Sequence, residues 1–240
     1  MKQFESFINA IPKLISVIPS TLLLFLGIIG VGIVLGMLLA WVRLKGNTVG
    51  NVLVSIYISF IRGTPLLIQI LIVYFGLRAI AVNGFGNQNA TRWPAALFVF
   101  IAYSLNLGAF LCETFRSAYT SVDFGQVEAG MSINMKNSQI FWHIIFPQAA
   151  RIALPNMSNL LIDDYKALSL AFSIGFIDIM GRGEGLAGLT KGVGAVGIYL
   201  AVAALYWLVC KGLDIVFRRV EWGLSKDIRV AQAAVAHQTS

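Results

Sequence analysis

Glu128 to Ala149 reads EAGMSINMKNSQIFWHIIFPQA, a polar and amphipathic stretch set between long apolar runs. Val127, Met131 and Met135 fall on one helical face, and Ile140, Phe141, Ile144 and Ile145 fall on another. Asn134 to Ser138 separates them as a break, so the pattern predicts a helix, a turn and a second helix. The whole connection, from about Arg116 to Arg151, is too long for a hairpin and too strongly patterned for a passive linker.

The flanking runs decide the class. The chain is 58% hydrophobic and 12% charged, against roughly 25% charged in an ordinary soluble domain. Leu14 to Val42 carries no charge, and Pro94 to Cys112 and Gly192 to Cys210 are charge-free runs close to the roughly 20 residues that a spanning helix needs. Val52 to Leu77 is apolar except for Arg62, and Arg151 to Ile179 is a largely apolar run with a central charged cluster, Asp163, Asp164 and Lys166. The expectation is an all-α integral membrane protein with five transmembrane helices, forming one membrane domain over residues 1–240. Within it, 1–13 reads as an interfacial helix, 123–150 as a cytoplasmic loop and 223–240 as a cytoplasmic tail. Phe4, Phe7, Ile8 and Ile11 share a face of the first of these, although a frayed tail is the bland alternative. The first apolar run is too long for a signal peptide, lacks a small-residue cleavage site and is followed by further spans, so no cleavage is expected.

Basic residues set an orientation. With the N-terminus outside, the cytoplasmic segments hold Arg43, Lys45, Arg116, Lys136, Arg151 and the cluster from Lys211 to Arg229. The outer segments hold Lys2, Lys13, Arg78, Arg92, Arg182 and Lys191, so the bias favours an outer N-terminus and a cytoplasmic C-terminus. The net charge of +7 then anchors the chain to anionic lipid, and no dedicated basic domain supports nucleic-acid binding. Cys112 and Cys210 form no CxxC pattern, and His143 and His237 are too few for a zinc site. There is no GxxxxGK[ST] phosphate loop and no nucleophile and base constellation, so the chain reads as non-enzymatic with no directly bound cofactor.

One polar stripe crosses the fourth apolar run. Asn156, Asn159, Asp163, Lys166 and Ser173 recur at three- and four-residue intervals, with Ser169 close beside them. A charge at mid-bilayer costs at least about 2.5–3.5 kcal/mol on insertion scales, so the three charges imply pairing, a watery cavity or both. Asp163 is the leading candidate for a substrate ammonium group, Asp164 the reserve, and Lys166 or Arg62 the complement for a carboxylate. The alternative is an Asp163 to Lys166 ion pair that holds helices together. Arg62 could equally satisfy carbonyls freed by Pro65. Asn106 and Glu113 share a face of the third run, where Glu113 could contact substrate or pair with Arg116. The glycines from Gly181 to Gly194 suggest a flexible outer loop.

The 128–149 stretch resembles the EAA loop with which permeases of ABC-type importers dock on their ATPase. Glu128, Ala129, Pro147, Gln148 and Ala149 match the motif, while Gly130 replaces its second alanine and Asn134 its turn glycine. Asn tolerates the left-handed region better than most residues, so it can serve at that turn. Ser59-Phe-Ile-Arg-Gly-Thr-Pro-Leu-Leu-Ile-Gln69 is similar to the FRGTPLL signature of permeases for polar amino acids. Ser104-Leu-Asn106, Glu113-Thr-Phe-Arg116, Lys166 and Ser169-Leu170 resemble the same family. Lys166-Ala167-Leu168-Ser169-Leu170 departs from the usual K-D-T-S-L, and Ala171 to Gly181 looks most like members that take up cystine or related amino acids. The resemblance implies a permease that dimerises in the membrane with a second copy or a paralogue. It also implies an ATP-binding subunit dimer that uses the ATP and an extracytoplasmic solute-binding protein that delivers an amino acid. Glu128, Ala129, Gly130, Met131, Asn134 and Met135 are the implied ATPase-coupling residues; Asp163, Asp164, Lys166, Arg62, Asn106 and Asn159 are the substrate-site candidates. The rivals from other classes are an ion-coupled secondary transporter using Asp163 and Asp164 and an accessory subunit that transports nothing.

Overall fold

The charge-free run near the N-terminus becomes one long helix, α2 (Ile18–Leu44), preceded by α1 (Lys2–Ile15). A computed structural model describes residues 2–46 and 48–238, with side chains described through Gly223. The remaining elements are α3 (Thr48–Gly63), α4 (Leu66–Ala79), α5 (Ala95–Thr120), α6 (Phe124–Ser132), α7 (Asn137–Ile140), α8 (Phe146–Ala167), α9 (Ile179–Leu189) and α10 (Ala195–Gln238). Among the described residues four helices are long and apolar enough to cross a membrane: Ile18–Leu44, Leu66–Gly84, Ala95–Thr120 and Ala195–Gly223. Side chains from 224 onward, which include most of the expected tail and its Lys226 and Arg229, lie outside the described residues.

The expected second span is corrected. Instead of one bent helix from Val52 to Leu77, α3 stops at Gly63 and α4 begins after Pro65, whose extended backbone (φ −62°, ψ 137°) precedes the new helix. Proline has no N–H to continue the ladder and disfavours helix in the residue before it, so the chain breaks at Thr64. Gln69, buried on α4, repairs the break: its Nε2 donates to Ile61 O at 2.8 Å, Thr64 O at 3.0 Å and Thr64 Oγ1 at 2.9 Å. The expected fourth span is also reshaped. It is α-helical to Ala167, tightens to a 3-10 turn over Leu168–Ile174, and ends at Gly175 in the left-handed region (φ 85°). Nor is the second helix of the 123–150 loop separate from it, because α7 runs through a π turn at Phe141–Ile145 straight into α8.

Packing centres on α5, whose inward residues Phe98, Ala102, Tyr103, Leu107 and Leu111 are buried against α2, α4 and α8. On α2 the buried positions Phe25, Ile28, Gly32, Gly36 and Ala40 recur every three or four residues and face α5. The approach is close enough to require glycine: a Cβ at Gly36 would sit 2.7 Å from Leu111 Cβ, and one at Gly108 would sit 2.9 Å from Leu35 Cβ. Small residues four apart bring membrane helices together through dispersion, since lipid is as apolar as leucine. Across the molecule, α1 packs against α9 and α10 with Ala10 and Leu14 buried.

Candidate functional site

Helix α6 starts where Asp123 Oδ1 accepts the Gly125 N–H at 2.9 Å. It ends in a Schellman arrangement, with Asn134 in the left-handed region at φ 61°. The Asn134 N–H donates to Met131 O at 2.9 Å and the Met135 N–H to Gly130 O at 3.1 Å, which satisfies two terminal carbonyls. The hydrogen bonds of this turn therefore require a residue tolerant of positive φ at position 134. Gly130, where the motif has alanine, is the buried residue of α6; a Cβ there would lie 3.0 Å from Ile144 Cδ1 and 3.2 Å from Ile140 Cγ1. The loop folds back as one unit, and Gln148 Nε2 on α8 donates to Gln126 Oε1 at 2.6 Å. Glu128, Ala129, Met131 and Asn134 stay exposed and Met135 is half-buried. The predicted residues thus form an outward face with Gly130 as its internal hinge pin.

On α8 the exposed positions include Asn156, Asn159, Asp163 and Lys166, so the predicted stripe is one continuous face left open among the described residues. Lys166 Nζ and Asp163 Oδ1 form an ion pair at 2.6 Å. Asp164 points the other way. It is buried at 8% exposure, and its Oδ2 has no hydrogen-bond partner among the described residues. The two carboxylates therefore separate, one in the stripe and one in the core. Nearby, Tyr103 Oη donates to Ala167 O at 2.5 Å, pinning the point where α8 changes pitch. Tyr206 donates to Asp178 Oδ2, while Asp178 Oδ1 accepts the Gly181 N–H at 2.8 Å and caps α9.

The other candidates are not gathered onto the stripe. Asn106 is buried and donates through Nδ2 to Gln69 Oε1 at 2.8 Å, which makes it the support of the α3–α4 break. Arg62 is exposed, with its guanidinium 5.8 Å from the Phe110 ring centroid. Glu113 is a pairing residue: it accepts from Arg43 on α2 and from Arg116 Nη2 at 2.9 Å, clamping the ends of α2 and α5. Gln69 and Arg43 were not singled out from the sequence. A lone amide in an apolar run was the available signal for Gln69, and Arg43 read as an orientation charge because its partner lies 70 residues away.

An all-helical chain with four helices apolar and long enough to span a membrane, an exposed helix–turn–helix and an exposed stripe with an ion pair fits the transport proteins as a class. The sequence profile described as the binding-protein-dependent transport system inner membrane component matches residues 32–226. The L-cystine transport system permease protein TcyL of Bacillus subtilis (strain 168) is 36% identical over 218 residues, covering 90% of this chain and 89% of that one. The glutamine transport system permease protein GlnP of Escherichia coli (strain K12) is 30% identical over 213 residues, covering 88% and 93%. Among solved structures, an amino acid ABC transporter with histidines superposes with a TM-score of 0.78 at 28% identity over 91% of this chain and 97% of that one. The inward-facing MetNI methionine ABC transporter, at 16% identity and a TM-score of 0.67 over 88% and 95%, shares the fold. The chain belongs to the family of binding-protein-dependent transport system inner membrane components. It is a multi-pass membrane permease component of an ABC importer; it is not an enzyme, and the ATP is used by a partner ATPase.

Proposed function

We propose that this permease imports a polar amino acid, with cystine the favoured cargo. The observation that carries the reading is the stripe on α8, where an ammonium and a carboxylate lie 2.6 Å apart on a face left exposed among the described residues. A face of this kind cannot rest against hydrocarbon. It suits the wall of a pathway between two permease copies or paralogues, where a zwitterion exchanges its hydration for fixed groups of opposite sign. Asp163 takes the substrate ammonium; Lys166 takes the carboxylate; Asn159 adds polar contact; and Asp164 and Asn106 lie in the buried core, Asn106 as the support of the α3–α4 break. The relatives that transport L-cystine and glutamine support the amino-acid class, and the 36% identity to the first supports the lean to cystine.

In this reading α3 and α4 together make one crossing and α8 with its 3-10 extension makes another, so that five crossings leave the N-terminus outside and the C-terminus cytoplasmic. The surface of Glu128, Ala129, Met131, Asn134 and Met135, held by Gly130, then lies in the cytoplasm and docks on the ATP-binding subunit dimer. Met131 and Met135 supply adaptable apolar contact. A solute-binding protein delivers cargo to the outer face. Reconstitution of the permease with its ATPase and binding protein tests the proposal: cystine uptake should require ATP hydrolysis. Uptake driven by an ion gradient without ATP would replace this reading with secondary transport.

A further inference from the structure

A second feature of the molecule is unrelated to the stripe. Between α2, the end of α5 and the start of α8 lies an open, apolar cleft of about 780 Å³. One wall is the α2 face of Ile33, Met37 and Trp41, which ends at Lys45. The opposite wall is Ala149, Ala153 and Met157 of α8, a different helical face from Asn156, Asn159 and Asp163. We propose that this cleft holds an acyl chain of an anionic phospholipid whose phosphate is bound by Lys45.

Depth is the first argument. Ile33 to Lys45 covers twelve helical steps, about 18 Å at 1.5 Å each, while one leaflet's share of a bilayer core about 30 Å thick is about 15 Å. The α2 wall of the groove therefore has the length of one leaflet, from interface to midplane. The volume lies within the roughly 300–1,000 Å³ of small-molecule sites. Charge and chemistry at the mouth are the second argument. Lys45 is exposed, its Nζ lies 4.7 Å from the Trp41 ring centroid, and it has no carboxylate partner among the described residues. Tyr119 lines the same cleft. A cation flanked by Trp and Tyr at the end of an apolar groove is the chemistry of a lipid headgroup position. Occupancy would fasten α2 to the segment that joins the 123–150 loop to α8, so that the bilayer's composition acts on the loop's seat. The orientation proposed above makes this the inner leaflet, but the binding argument holds for either.

The test uses the permease with its ATPase in nanodiscs that contain brominated phosphatidylglycerol or brominated phosphatidylcholine. Quenching of Trp41 is read as the difference between the native complex and Trp41→Phe. Phosphatidylglycerol should quench with a roughly fivefold higher association constant, the equivalent of about 1 kcal/mol per basic side chain near the surface. Lys45→Gln should abolish that excess and Lys45→Arg retain it. Ala153→Phe, which fills the cleft, should abolish it with Lys45 in place. Equal quenching by the two lipids, or an excess that survives both Lys45→Gln and Ala153→Phe, overturns the proposal. So does disulfide capture of a second permease copy by Met37→Cys, which would make the cleft an interface between chains. Neither result depends on which solute is carried.

Discussion

Asn134 holds its backbone at φ 61°, a conformation that costs an ordinary L-residue about 1–2 kcal/mol. Asn134→Val places a β-branched side chain there and should deform the α6–α7 turn, whereas Asn134→Gly should preserve it. In the proposed coupling role, the valine variant is expected to hydrolyse ATP without substrate stimulation while still inserting in the membrane; ATPase assays with and without loaded binding protein check this. Asp163 gives a second prediction. Its side chain is 69% exposed in an i,i+3 pair, and such pairs contribute about 0–1 kcal/mol to stability. Asp163→Asn should leave the thermal midpoint of the purified protein nearly unchanged. It should lower uptake roughly 10- to 150-fold, as expected for the loss of one charged hydrogen bond of about 1.5–3 kcal/mol; unchanged uptake would leave Asp163 as a structural ion-pair partner. Asn134 was legible in sequence because it occupies a turn between two periodic segments. Asp163 and Asp164 were legible as lying on different faces, because adjacent helical residues point about 100° apart; which of them faces the core was not, since one residue of rotation exchanges core for surface.

Glycine spacing determines how the elements meet. Gly36 cannot carry a Cβ without pressing Leu111, while Gly30 on the same helix has nothing within 4 Å. Gly36→Val should therefore push α2 from α5 and cost about 1–3 kcal/mol, the usual range for overpacking; Gly30→Ala should be neutral or mildly stabilising. Thermal unfolding in detergent distinguishes them, and equal midpoints would remove close α2–α5 contact as a source of stability. The apolar runs announced most of these helices, because length and hydropathy are properties of a segment alone. Where one helix became two, the instruction was present in Gly63-Thr64-Pro65, but a bend and a complete break differ by tertiary help. Here Gln69 supplies that help by accepting from Asn106 and donating to the freed carbonyls of Ile61 and Thr64. The pitch change after Ala167 was hidden for a related reason: the run stays apolar, and Tyr103 stabilises the new geometry from another helix.

At the scale of the whole molecule, α1 is tied to the start of α10. Gln3 Oε1 accepts the Gly197 N–H at 2.9 Å, and a Cβ at Gly197 would lie 2.0 Å from Gln3 O. Gly197→Ala should therefore dislodge α1, seen as faster chymotryptic cleavage at Phe4 and Phe7, whereas Gly188→Ala, with open space around it, should not. Periodicity revealed the apolar face of α1, and lipid was its natural partner on that basis; the seat on α9 and α10 depends on contacts across 194 residues, which no local pattern encodes. That separation imposes an order in time. Helix α1 must wait for the start of α10 to be made, about 10–40 s at roughly 5–20 residues per second. During that interval the apolar face of α1 has no seat of its own, so the surface that later closes onto α9 and α10 must be sheltered from water in some other way while the chain is unfinished.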